Sequence, residues 1–196
     1  MKHFLPLFIA TCLVNIFASH AAEKNGRTQT AESTDPTVYF NNFSNRKFPG
    51  MKLWCGFHIA ADEGVYGTSA LRIRLQKALK ENSFCILELP ELPAGKRFWV
   101  SFDICGKNLK FNGANAPNKK FECVHIEQFD LITEKSSTRS SSESVLCHPA
   151  EDFQKKVFSF IAQKNCRPRL VFRMPAQWSG TLLIDNVRVT DRAPEK

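Results

Sequence analysis

Apolar and polar residues alternate along most of this chain with a period of two. Leu71, Ile73 and Leu75 alternate with Arg72, Arg74 and Gln76. Phe98, Val100, Phe102 and Ile104 alternate with Trp99, Ser101, Asp103 and Cys105. Leu170, Phe172 and Met174 alternate with Arg169, Val171 and Arg173. Side chains alternate across a strand, so each run predicts a strand with one apolar and one mixed face. Residues 84–89, 121–126 and 157–162 are further strand candidates. Pro90, Pro93 and Gly95 break the chain before the Phe98 strand, and Gly113 and Pro117 break it afterwards. Residues 69–82 read two ways. Alternation supports a strand to about Leu75, while Ala70, Leu71, Leu75, Ala78 and Leu79 partly share a helical face. We expect the strand, followed by a loop or a short helix. Many short strands between turn signals predict an all-β antiparallel sandwich.

The final apolar segment, residues 180–190, is interrupted by Asp185-Asn186 and resumes with Val187 and Val189. A carboxylate inside an apolar strand is costly unless it is paired, hydrogen-bonded or bound to a cation. The pair marks a bulge or the edge where the two chain ends meet.

The ends of the chain point to export. Lys2, the apolar run from Phe4 to Phe17 and the Ser19-His20-Ala21 site form a secretory signal, expected to be cut after Ala21. Residues 22–36 are polar and read as a disordered leader or tether. The folded domain is expected over residues 37–191, with a tail at 192–196. No later segment is apolar and long enough to span a bilayer. Secretion or a periplasmic location follows. The chain carries a net charge of +8. That charge suits acidic polysaccharides or cell surfaces, and equally a solvated basic surface. Without Cys12, six cysteines remain, and an exported chain would pair them in three disulfides. Cys105 with Cys123 is the expected pair if they flank a loop joining two adjacent strands.

Catalysis finds little support. His58, His125 and His148 sit in no nucleophile or zinc motif, and Glu88 and Glu91 flank Pro90 as turn carboxylates. The basic residues are scattered and match no nucleic-acid-binding motif.

Four segments stand in a familiar order. Phe40-Asn41-Asn42-Phe43-Ser44 is followed by Trp54, then by residues 64–73 with their Gly-x-x-Gly start. Next comes the Leu92-Pro93-Ala94-Gly95 turn into Phe98, and the chain closes on 180–190. This order resembles the carbohydrate-binding modules of families 4 and 9, the cellulase-associated type, among the galactose-binding-like jelly rolls. The resemblance covers most of residues 38–190. It implies a non-catalytic jelly roll that binds a polysaccharide or surface glycan. It also implies a structural calcium, with Asp185 as one ligand and Glu63 as another, although Ser44 stands where the family has an acidic residue. The alternative is an Asp185 that caps backbone N–H groups without metal. Trp99 is the leading sugar-stacking candidate, with Asp103 on the same face. Arg169 and Arg173 would bind hydroxyls or acidic groups, and Trp178 and Tyr66 are loop aromatics that would touch ligand at one end of the sandwich, with packing the favoured alternative for each. Trp54 is expected to pack rather than to touch ligand. A structural or protein-binding jelly roll without a sugar site is the competing reading.

Overall fold

A computed structural model describes residues 36–44, 50–54, 56–116, 118–135 and 144–194. The expected signal and leader up to residue 35, Cys55, Pro117 and most of the serine-rich patch lie outside the described residues.

Twelve strands are described: β1 (Thr37–Asn41), β2 (Met51–Leu53), β3 (Phe57–Ala60), β4 (Ala70–Leu75), β5 (Ser83–Glu88) and β6 (Arg97–Phe111). They continue with β7 (Ala114–Asn115), β8 (Phe121–Asp130), β9 (Ser144–Cys147), β10 (Gln154–Ile161), β11 (Cys166–Met174) and β12 (Trp178–Thr190). One short 3-10 turn, Val65–Gly67, is the only helix among the described residues. A seven-stranded sheet runs β10-β6-β12-β4-β3, with β1 added beside β12 and β7 beside β6. A five-stranded sheet runs β2-β5-β11-β8-β9. Every pairing is antiparallel. The protein is a β-sandwich of jelly-roll type.

The core lies between the sheets and follows the alternation. Leu71, Ile73, Phe98, Val100, Phe102, Ile104, Leu182 and Ile184 point inward from one sheet. Cys85, Leu87, Ile126, Leu170, Phe172 and Met174 point inward from the other. Phe102 and Phe172 meet edge to face across the layer, with ring centroids 5.4 Å apart. Burying each such side chain stabilises the fold by roughly 1.5–3 kcal/mol.

The ambiguous 69–82 segment resolves into β4 and a loop. β4 pairs with β12 on one side and β3 on the other, and both Leu71 and Ile73 are fully buried. Two neighbouring strands and a buried face outweigh the helix preference of the charged residues that follow. Asp185-Asn186 marks a bulge: β12 pairs Asp185 with Asp103 and then Arg188 with Ser101, and Asn186 takes a φ of 49°. Just past the bulge β1 joins β12, so the two ends of the domain do meet there.

The expected disulfides require correction. Cys85, Cys105 and Cys166 are buried free thiols, so three bridges do not form. Cys105 lies in β6 of one sheet, on its outer face with Ala70 and Leu183, and its thiol donates to the Glu151 carbonyl. Cys123 lies in β8 of the other sheet, faces the core and donates to the Val145 carbonyl. The strands are not neighbours, and the two side chains point to opposite sides of a layer. Burial pushes the Cys85, Cys105 and Cys166 thiols up from their ordinary value.

Candidate functional site

The outer face of the five-stranded sheet is built from the residues that alternate with its core. On β5, Phe84, Ile86 and Glu88 stand between the buried Ser83, Cys85 and Leu87. On β11, Arg169, Val171 and Arg173 stand between Leu170, Phe172 and Met174. On β8, Glu122, His125 and Glu127 face the same way, because an irregularity between Glu122 and Val124 shifts the alternation. Register then sets rows across the face. Val171 lies between Ile86 and His125, and Arg169 lies between Glu88 and Glu127. The result is a shallow groove of about 370 Å³ with an apolar floor of Phe84, Ile86 and Val171 and walls from Asn82, His125, Glu127 and the two arginines. Trp54 closes one side, its ring 4.8 Å from that of Phe84 and 39% exposed.

Each wall cation is held by a carboxylate. Arg173 donates to Glu122 at 2.8 Å, and Arg169 donates to Glu88 at 3.2 Å with its guanidinium 3.7 Å over the Phe129 ring. His125 stands 3.3 Å from Glu127 and 3.8 Å from Glu122. These pairs fix the guanidinium planes, yet the Nε–H groups of Arg169 and Arg173 are buried without a hydrogen-bond partner. An unmet buried donor costs about 1–3 kcal/mol. The paired guanidiniums beside an apolar floor suit a molecule with ring faces and many hydroxyl acceptors.

The sequence-derived candidates divide between the two sheets. Arg169 and Arg173 belong to this groove. Trp99 and Asp103 do stand on the non-core face of β6, as the alternation requires, but that face belongs to the seven-stranded sheet. Trp99 is half-buried between Ser159 of β10 and Thr190 of β12. Asp103 accepts a 2.8 Å bond from the Asn186 amide. Tyr66 is fully exposed in the turn that leads into β4, remote in the topology from the two arginines. Trp178 takes the packing alternative rather than the ligand contact, and it opens β12 rather than lying in a loop. It is 3% exposed, and its ring lies 4.7 Å from that of Phe121, 5.6 Å from Phe111 and 5.8 Å from His148. Trp54 goes the other way, from an expected packing role to the groove's rim. Phe84, His125 and Glu127 were missed. Their signal was the same alternation: Phe84 precedes the inward Cys85, and His125 precedes the inward Ile126.

Asp185 and Glu63 do not share a ligand set. Asp185 points out from β12 but is fully buried, because the 63–69 loop covers it. Its Oδ2 accepts from the Val65 N–H at 2.9 Å and from the Thr68 hydroxyl at 2.6 Å, and its Oδ1 accepts from the Asn186 N–H at 2.7 Å. Glu63 is drawn to Arg72, which also donates to His58. Among the described residues no three His, Cys, Asp or Glu side chains converge. A calcium ion takes six to eight oxygens. N–H groups already aimed at both Asp185 oxygens, and a Glu63 held by Arg72, do not fit that demand. The arrangement fits a hydrogen-bonded clamp, and Gly64 is part of it: a Cβ there would lie 2.5 Å from Asp185 Oδ2.

No protein-family model matches the chain, and no curated protein matches it. Solved structures do share its fold. The CBM22-1 xylan-binding domain of Paenibacillus barcinonensis Xyn10C matches with a TM-score of 0.58 at 12% identity, over 84% of this chain and 100% of that one. The CBM22-1–GH10 modules of Clostridium thermocellum xylanase 10B, complexed with xylohexaose, match with a TM-score of 0.58 at 14% identity. That match covers 80% of this chain, which spans only 29% of the larger one. The C-terminal family 22 carbohydrate-binding module of the same xylanase matches with a TM-score of 0.56 at 11% identity, over 81% of this chain and 96% of that one. At such identities the likeness establishes the jelly-roll fold that these modules share.

Proposed function

We propose that this protein is an exported, non-catalytic carbohydrate-binding module that takes a polysaccharide or surface glycan in the groove of the five-stranded sheet. The observation that carries this reading is the apolar Phe84-Ile86-Val171 floor, flanked by the carboxylate-paired guanidiniums of Arg169 and Arg173 and rimmed by the exposed Trp54 ring. Sugar C–H faces pack on apolar and aromatic surfaces, and their hydroxyls accept from fixed planar donors. Xylan is the first candidate, since two of the similar structures are named for xylan binding or hold xylohexaose. Kinship with the family 4 and 9 modules, release or periplasmic retention after signal cleavage, and the absence of chemistry on the glycan belong to the same proposal. Glycoside cleavage needs a carboxylic acid free to give a proton beside a second carboxylate. Here Glu88 and Glu122 are each held by an arginine, and Glu127 lies against His125.

The test is affinity electrophoresis through gels containing soluble xylan or a neutral glucan, with Trp54→Ala and Arg173→Lys beside the unaltered protein. Lysine keeps the charge but lacks the planar fork. Retardation in at least one neutral polysaccharide is expected, weakened about tenfold by Trp54→Ala, the loss of roughly 1.4 kcal/mol of stacking. Retardation that neither variant changes would remove the groove from the reading. No retardation in any gel would favour a protein partner on this face, where Leu146 is also exposed.

A further inference from the structure

The outer face of the seven-stranded sheet holds a second, larger groove of about 650 Å³, well within the usual range for ligand sites. Phe40, Ser101, Asp103, Lys155, Arg188 and Arg192 line it. We propose that this groove is a separate site for an acidic sugar, a uronic acid within a polysaccharide.

The argument starts from register. β1 places Phe40 opposite Arg188 of β12, and the guanidinium lies 5.1 Å from the ring. β10 places Lys155 opposite Asp103 of β6. The segment after β12 brings in Arg192, and that segment is tied down. Asp191 takes a 2.8 Å ion pair from Lys96, the Asp191 N–H donates to Pro36, and the Thr190 hydroxyl donates to the Arg192 carbonyl at 2.7 Å. Three cations are thus held around one carboxylate, and Asn186 already donates to that carboxylate. Among the described residues no carboxylate lies within 4 Å of Lys155, Arg188 or Arg192.

The contrast with the five-stranded sheet is chemical. There the two groove arginines, Arg169 and Arg173, are each paired with a glutamate, which suits neutral hydroxyls. Here three cations share the groove with the single Asp103 carboxylate and none is within ion-pair distance of it, so the lining carries an excess of positive charge that a bound anion would balance. Phe40, 47% exposed, offers a ring face beside the Arg188 fork. A pyranose stacked on Phe40 presents an equatorial carboxylate to a planar bidentate donor, with Lys155 as a second point charge. A linear polyanion without rings would use the cations and leave Phe40 idle, which separates an acidic glycan from an acidic polypeptide.

The full chain is run through gels containing polygalacturonate or, in a parallel arm, polyglutamate. Retardation in polygalacturonate is expected to weaken at least tenfold in Lys155→Gln/Arg188→Gln and severalfold in Phe40→Ala. Lys77→Gln/Lys80→Gln removes the same charge elsewhere and is expected to change little. Arg192→Gln alters no strand and is expected to weaken retardation even if the double variant folds poorly. Equal loss from the two double variants, or retardation indifferent to Arg192→Gln, would overturn the site. Polyglutamate retarded as strongly, with Phe40→Ala unchanged in both arms, would overturn the sugar.

Discussion

Replacing Asp185 by alanine tests whether the buried carboxylate is a clamp. The side chain accepts three bonds, from the Val65 N–H, the Thr68 hydroxyl and the Asn186 N–H. Its loss affects the donors unequally. The Thr68 hydroxyl also lies 2.7 Å from the Val65 carbonyl, so it keeps an acceptor. The two backbone N–H groups lose theirs, at about 1–3 kcal/mol each. Relief of the desolvated charge offsets part of this. The net expectation is a loss of about 2–5 kcal/mol, a large share of a typical 5–15 kcal/mol domain stability. Asp185→Asn retains one acceptor oxygen but turns an NH2 toward a donor, so about half that loss is expected. Gly64→Ala reaches the same contact from the other side, since its Cβ would also come within 2.7 Å of the Ser69 carbonyl. The assay is urea unfolding followed by tryptophan fluorescence, with and without added calcium. The midpoint should fall while the slope holds, and calcium should leave the unaltered protein where it was. A loss below about 1 kcal/mol for Asp185→Ala would refute the clamp. A calcium-dependent rise in the unaltered protein that Asp185→Ala abolishes would restore the ion.

Further outcomes are expected. Native alkylation followed by mass spectrometry should leave Cys85, Cys105 and Cys166 unlabelled, because they are buried and hold their protons; denaturant should expose all three, and a disulfide at any of them would contradict the fold described here. The Lys96 bond holds the Asp191 carboxyl below its ordinary value of 3.8. A lowered folded value means that the tether adds stability above the unfolded value and loses it as pH falls through the folded one. Residues 191–194 should therefore stay docked through mildly acidic pH and loosen only below 3.8, and an NMR titration placing Asp191 at or above 3.8 would refute the tether's role.

Alternation made much of the fold legible. It placed Phe98, Val100, Phe102 and Ile104 in the core and turned Arg169 and Arg173 outward, because a half-buried sheet tolerates no other arrangement. The Asp185-Asn186 interruption correctly marked the bulge where β12 meets the first strand. Alternation says inside or outside, however, and never which sheet. Trp99 and Arg173 both point outward, yet one stands on β6 and the other on β11, in opposite layers. The ion pair of Arg173 with Glu122 spans 51 residues, and only the finished β11–β8 register creates it. Cysteine pairing failed for the same reason, since an even count carries no geometry. Trp178 looked like a loop residue among polar neighbours, but its packing partners Phe111 and Phe121 come from distant strands.

The same topology explains why the two outer faces differ in chemistry. The seven-stranded sheet is covered in part by its own chain. The 63–69 loop lies over Asp185, and the 149–153 segment lies over Cys105 and Gly106. That second approach is close enough to demand glycine, since a Cβ at Gly106 would meet the Pro149 carbonyl at 2.9 Å. Covered stretches must satisfy their polar groups internally, as Asp185 does. The part between β10 and β1 stays open, and there Lys155, Arg188 and Arg192 have no carboxylate within 4 Å among the described residues. Across the middle of the five-stranded sheet, β5, β11 and β8 carry no such covering segment among the described residues. An uncovered sheet face is under no packing demand to bury its arginines. That Arg169 and Arg173 are nonetheless held flat by glutamates, with donors left unmet, is a cost that packing alone does not require. The open apolar floor between them supports the proposed glycan site on this face, where Trp54, rather than Trp99, is the exposed ring.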